Sequence, residues 1–111
     1  MDFQYLSEVQ NYLTAFCANH QLTIEQRINK NESGTALVAT IFLLKYEIEV
    51  IVRGAYNTDY IVADTELLKE IYYHYVFYGE SGRIHFSEEA IFAKWKKDFE
   101  NMIALIRTTV I

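Results

Sequence analysis

Histidine side chains are the groups in this chain that could bind a metal ion. The three histidines, His20, His74 and His85, show none of the HxH, HxxxH or CxxC spacings that arrange ligands around zinc. If residues 79–82 form a turn, His74 and His85 would face each other diagonally across a hairpin, about 7–8 Å apart. Two half-exposed strand histidines are the simpler interpretation, and we expect no bound metal.

The cysteine and the serines lack the neighbours that nucleophilic catalysis requires. Cys17 lies on the apolar side of a predicted helix, and no basic group near it in sequence would activate the thiol. Ser33, Ser81 and Ser87 occupy predicted turn or cap positions, and no GxSxG motif is present. The chain also lacks the GxGxxG and GxxxxGK[ST] motifs that bind phosphates. We therefore expect neither an enzyme nor a cofactor-binding protein.

Composition indicates a single domain over residues 1–111. Half of the residues are hydrophobic, at 51%, which is enough for one core. No apolar run approaches the ~20 residues of a membrane span, and the first residues have no signal-peptide pattern. A single cysteine fits a reducing compartment, so we expect a cytoplasmic protein. The net charge of −5 disfavours direct binding to nucleic acid or to an anionic membrane.

Hydrophobic periodicity predicts a helix at each end of the chain and a three-stranded meander after the first helix. The predicted helices cover residues 2–19 and 87–107. The predicted strands cover residues 21–30, 35–44 and 46–53, with a tight turn or bulge near Lys45. Residues 54–63 are predicted as a loop that leads into a short apolar stretch.

Residues 64–78 carry signals for two kinds of structure. Asp64 resembles a helix N-cap and is followed by helix-forming residues, whereas residues 71–78 are rich in strand formers. We expect a short helix followed by a hairpin that turns at residues 79–82 and returns over residues 83–86. The predicted class is α+β, with an antiparallel sheet of about five strands packed against N- and C-terminal helices.

Acidic residues and tyrosines are concentrated in the second half of the chain. Six of the nine tyrosines lie between residues 56 and 78, and residues 54–90 carry the whole excess of negative charge. Tyrosines are common in interface cores, and acidic groups influence the choice of partner. The alternative is that the tyrosines are half-buried sheet residues and the acids ordinary surface groups. The partner-binding residues we predict are Glu47, Glu49, Tyr56, Asp59, Tyr60, Asp64, Glu66 and Glu70.

Two hypotheses for function follow. The first is a small acidic inhibitor, of the immunity-protein, antitoxin or anti-defence type, that blocks a basic partner such as a nuclease toxin or another nucleic-acid-handling enzyme. The second is a homodimeric chaperone, because the predicted order of helix, three strands, helix, two strands and helix resembles that of type III secretion chaperones. These are also small and acidic, and they bind an extended segment of a client. The first hypothesis implies a monomer and the second a homodimer.

Overall fold

The computed structural model describes residues 4–32, 34–78 and 88–110. In chain order, five strands follow the first helix and precede the second, and the α+β class with a five-stranded antiparallel sheet is confirmed. The elements are α1 (Gln4–Asn19), β1 (Thr23–Asn31), β2 (Gly34–Leu43), β3 (Tyr46–Val52), a 3-10 turn (Gly54–Tyr56), β4 (Thr58–Asp64), β5 (Lys69–Val76) and α2 (Glu88–Val110). Neither helix, over the described residues, has the length and apolar character needed to cross a membrane.

The chain divides into two compact units, Met1–Phe77 and Tyr78–Ile111. The first unit contains α1 and the sheet, and the second contains α2. The single domain predicted over residues 1–111 stays a prediction.

The sheet has one face that is buried along its three central strands, which we call the inner face. Its strands follow in the order β1-β2-β3-β4-β5, each antiparallel to the next. Because side chains alternate along a strand, every second residue of the three central strands points to this face. The inner face includes Leu37, Ala39, Ile41, Ile48, Val50, Val52, Tyr60 and Val62, all 0% exposed.

Helix α1 packs on β1 and β2 through an apolar stripe and through one polar side chain. Four residues of the stripe are buried, namely Leu6, Val9, Leu13 and Cys17. Gln26 of β1 points to the inner face and donates hydrogen bonds to Oγ1 of Thr14 at 2.9 Å and to the carbonyl of Gln10 at 3.4 Å. The predicted first helix and the meander are therefore confirmed, with each boundary within two residues of the predicted one.

The predicted short helix after Asp64 is wrong, because residues 65–68 form the turn of the β4–β5 hairpin. Oδ1 of Asp64 accepts hydrogen bonds from the N–H groups of Glu66 and Leu67, at 2.9 and 3.0 Å. An aspartate bonds the following N–H groups in the same way at a turn and at a helix N-terminus, so the N-cap signal was ambiguous. The strand formers after Lys69 make β5.

The element order of the structure also differs from the predicted order that resembles type III secretion chaperones. A turn and a strand stand where that order requires a helix. The predicted turn at residues 79–82, the returning strand at 83–86 and the cap at Ser87 lie outside the described residues.

Helix α2 has the predicted apolar stripe. Trp95 and Phe99 are both 0% exposed, and their rings stack with centroids 5.5 Å apart. Met102, Ile103 and Ile106 continue the buried side of the helix. On the other side, Lys94 forms an ion pair with Asp98 at 2.8 Å. The lysines around Trp95 thus belong to the polar side of an amphipathic helix.

Candidate protein-binding face

The other side of the sheet, which we call the outer face, brings together side chains that are far apart in the chain. Strand register places residues in rows that run across all five strands, because residues paired in antiparallel strands point to the same face. One row is Thr23, Phe42, Glu47, Ala63 and Glu70. The next row is Glu25, Thr40, Glu49, Ile61 and Tyr73. We call these ten residues the acidic face.

The acidic face has four carboxylates and no lysine or arginine. Glu25 and Glu70 are exposed, whereas Glu47 and Glu49 are half-buried. Glu47 and Glu49 are two residues apart on one strand, so their side chains are neighbours on this face. Within residues 4–32, 34–78 and 88–110, none of the four carboxylates has an ion-pair partner. Their negative charge is therefore not neutralised by any described residue.

Apolar side chains lie among these carboxylates. Phe42 and Ile61 are half-buried, and Tyr73 is 52% exposed. Aromatic side chains are enriched at protein–protein interfaces, and charged groups influence the choice of partner and the association rate. The acidic face therefore combines negative charge that described residues do not neutralise with partly exposed apolar side chains.

Four of the predicted partner-binding residues are buried. Tyr60 is 0% exposed because it pairs with Val50 and so points to the inner face. Tyr56 is 2% exposed and ends the 3-10 turn, with a φ of 64°. Asp59 and Asp64 are 6% and 3% exposed. These four side chains are therefore not on the surface of the structure, and the partner-binding role that the sequence predicted for them stays a prediction.

Asp59 is a buried carboxylate in the row next to the acidic face. Tyr73 donates a hydrogen bond to its Oδ1 at 2.5 Å, and Arg53 forms an ion pair with its Oδ2. The side chain of Asp59 is 8% exposed, against 51% for Arg53. A buried carboxylate needs such partners to remain charged. The arrangement fixes the side chain of Tyr73 on the acidic face.

Asp64 and Lys45 connect the two hairpin turns at one end of the sheet. Nζ of Lys45 lies 3.3 Å from Oδ2 of Asp64 and 3.7 Å from Oε2 of Glu66. The hydrogen bond from the N–H of Leu67, with help from Lys45, holds the pKa of Asp64 below its usual value. The hydrogen bond that Lys45 donates to Asp64 raises the pKa of Lys45 above its ordinary value.

The remaining predicted residues divide between this turn and the acidic face. Glu66 is on the turn, with a side chain that is 72% exposed. Glu47, Glu49 and Glu70 are on the acidic face. Glu25 and Tyr73 were not predicted, because the sequence alone does not show how the strands align with one another. A correct register for β1 and β5 would have identified both.

Neither a cluster of metal ligands nor an activated thiol is found in the part of the chain that the structure describes. Among the residues that the structure describes, no three His, Cys, Asp or Glu side chains come together as metal ligands. His74 is exposed on β5, and His85 lies outside the described residues. Burial raises the pKa of the Cys17 thiol to about 11, so the thiol stays protonated at neutral pH.

Comparisons of the chain with protein-family models, curated proteins and solved structures give no match.

Proposed function

We propose that this protein is a small acidic inhibitor that binds a basic protein partner, such as a nuclease toxin or another nucleic-acid-handling enzyme, through its acidic face. The observation that supports this proposal is the group of four carboxylates in two adjacent rows that contain no lysine or arginine. Enzymes that act on nucleic acids need basic sites to bind phosphates, and such sites complement this surface.

The charge arrangement favours a partner over a purely structural role. The carboxylates of Glu47 and Glu49, two residues apart on one face of β3, repel each other, and described residues do not offset this repulsion. A basic partner would relieve the repulsion on binding. The same charges would attract that partner over a distance of about 10 Å at moderate salt, which increases the association rate.

The apolar groups on this face supply area that can be buried. Tyr73 is 52% exposed, yet its hydroxyl is held by Asp59. A rigid aromatic side chain loses little conformational entropy when it is covered, so it is a suitable anchor. In this proposal Glu47 and Glu49 guide the encounter, while Tyr73, with Phe42 and Ile61, slows dissociation.

Affinity capture with matched variants tests the proposal. The native protein and two double variants are immobilised and incubated with a lysate of the organism that produces it. Glu47→Lys with Glu49→Lys reverses charge on the acidic face. Glu8→Lys with Glu32→Lys makes the same change in net charge at exposed positions of α1 and of the β1–β2 turn.

We expect a basic protein that is retained by the native chain and by the Glu8/Glu32 variant, lost by the Glu47/Glu49 variant, and released by salt. The activity of that purified protein should fall when the native chain is added. Retention of the same proteins by all three chains would contradict the proposal.

A further inference from the structure

Two adjacent hairpin turns expose three leucines, which we call the leucine tip. Leu44 of the β2–β3 turn is 79% exposed, and Leu67 and Leu68 of the β4–β5 turn are 61% and 87% exposed. The N–H and the hydroxyl of Thr65 donate hydrogen bonds to the carbonyl of Lys45 at 2.9 and 2.6 Å, so the two turns lie side by side. Among the described residues, Leu44 and Leu68 are the most exposed of the large hydrophobic side chains.

Both turns place a leucine where the backbone favours glycine or asparagine. Leu44 is the first residue of the two-residue turn that joins β2 to β3, and its φ is 55°. Glycine is the usual residue at such a position, because it has no Cβ to clash with the backbone. Leu68 ends the turn before β5 with the same φ. Exposed leucines gain little packing there, and positions that depart from the local preference in this way are often functional sites.

The leucine tip lies in a part of the chain that is described without a gap. Residues 34–78, which include both turns and the four strands that they join, are all described. The undescribed residue 33 and residues 79–87 join the sheet at its other end, after the last residues of β1 and β5. The exposure of the three leucines is therefore a property of turns whose neighbours along the chain are known.

The leucine tip adjoins the acidic face. Phe42 and Glu47 are in the first row of that face, and the turn that contains Leu44 begins two residues after Phe42 and ends two residues before Glu47. Glu70 completes the same row on β5, two residues after Leu68. A protein that covers this row of the acidic face would therefore also meet the two turns.

We propose that the leucine tip inserts into an apolar pocket that borders the basic site of the partner protein. This inference rests on the proposed function, and it adds apolar contacts that slow dissociation to the charges that guide the encounter. The net charge of −5 favours basic surroundings for that pocket and opposes both a second copy of the chain and an anionic membrane. Nζ of Lys45 bridges Asp64 and Glu66 across the two turns, so the backbone that carries the leucines is already ordered before binding.

Dissociation of the purified partner tests this inference, with a variant that removes the leucines and keeps the fold. Leu44→Asn with Leu68→Asn places asparagine at two positions whose φ suits it. We expect this leucine variant to be at least as stable in urea as the native chain, yet to release the partner about tenfold faster or more, with a native association rate. The control, Ile28→Thr with Leu105→Gln, removes aliphatic side chains that are 40% and 47% exposed on β1 and α2, and should release the partner at the native rate.

The other outcomes separate this inference from the proposed function. If the leucine variant releases the partner at the native rate while Glu47→Lys with Glu49→Lys abolishes binding, the inference is wrong and the inhibitor proposal stands. If the leucine variant loses a protein that the glutamate variant retains, the leucine tip is supported and the inhibitor proposal is wrong. Binding of the native chain to phosphatidylcholine vesicles that the leucine variant loses would assign the tip to a membrane and overturn the inference. If the native chain retains no protein, both proposals are wrong.

Discussion

The hydroxyl of Tyr73 donates a hydrogen bond of 2.5 Å to Oδ1 of Asp59, and this bond connects the edge strand β5 to β4 on the outer face of the sheet. Tyr73 is half exposed, whereas the side chain of Asp59 is 8% exposed. The carboxylate thus depends on Tyr73 and on Arg53, which pairs with its other oxygen. Asp59 therefore holds the hydroxyl of Tyr73 in place on the outer face of the sheet.

Removal of this hydroxyl should destabilise the protein. Tyr73→Phe leaves one oxygen of a buried carboxylate without its donor, and hydrogen bonds to charged groups contribute about 1.5–3 kcal/mol. We expect the free energy of unfolding in urea to fall by about that amount. Tyr75→Phe is the matched control, because the hydroxyl of Tyr75 makes no hydrogen bond to a described residue. Equal losses in the two variants would show that the bond to Asp59 contributes nothing specific.

Leu68 should be replaceable with a gain in stability. It is 87% exposed and has a φ of 55°, a conformation that costs an L-residue with a bulky side chain roughly 1–2 kcal/mol. Asparagine adopts this conformation more easily. Leu68→Asn should therefore raise the free energy of unfolding by about 0.5–1 kcal/mol. Leu67→Asn, in the same turn without a positive φ, should not. A loss of stability in Leu68→Asn would show that its side chain packs against the protein.

Asp64 should contribute to the pH dependence of stability. Because its folded-state pKa lies below the ordinary value of 3.8, its contribution is present above that pH and disappears as the pH falls through the lower, folded-state pKa. Asp64→Asn should lower the urea midpoint at pH 7 and flatten the decline in stability below about pH 4. Glu66→Gln, which changes an exposed neighbour of Lys45, should change both much less. Identical acid profiles for Asp64→Asn and the native chain would contradict this account.

Trp95 should be one of the largest single contributors to stability. It is 0% exposed and stacks on Phe99. Trp95→Ala should reduce the free energy of unfolding by about 3–5 kcal/mol. Leu105→Ala, at a 47% exposed position of the same helix, should cost much less. A native fluorescence maximum typical of exposed tryptophan, or a loss of less than about 1 kcal/mol, would be inconsistent with a buried side chain.

Helices and strands whose apolar residues recur at a regular spacing could be predicted from the sequence. Both helices and the first three strands were found because their apolar residues recur at helical or alternating positions. Strand β4 was partly predicted as a loop, since Asn57, Thr58 and Asp59 resemble turn residues. In the structure Thr58 already pairs with Val52, and its hydroxyl donates to the carbonyl of Tyr56 at 2.7 Å. Tertiary pairing overrode the local preference.

The candidate site was only partly predictable, for a related reason. Alternation along β3 showed that Glu47 and Glu49 share a face. Whether Tyr60 points inward could not be decided, because Tyr60, Ile61 and Val62 form a continuous apolar run. Glu25 and Tyr73 join the acidic face only through the pairing of four hairpins. Such long-range register is not contained in local periodicity.

The association rate is the most direct measure of the proposed binding of a basic partner by the acidic face. With the captured partner, association of the native chain should slow steeply between low and physiological salt. At low salt, Glu47→Lys with Glu49→Lys should reduce the rate by about tenfold or more, while the Glu8/Glu32 control stays close to the native value. An association rate that is insensitive to salt and equal in all three chains would contradict the claim.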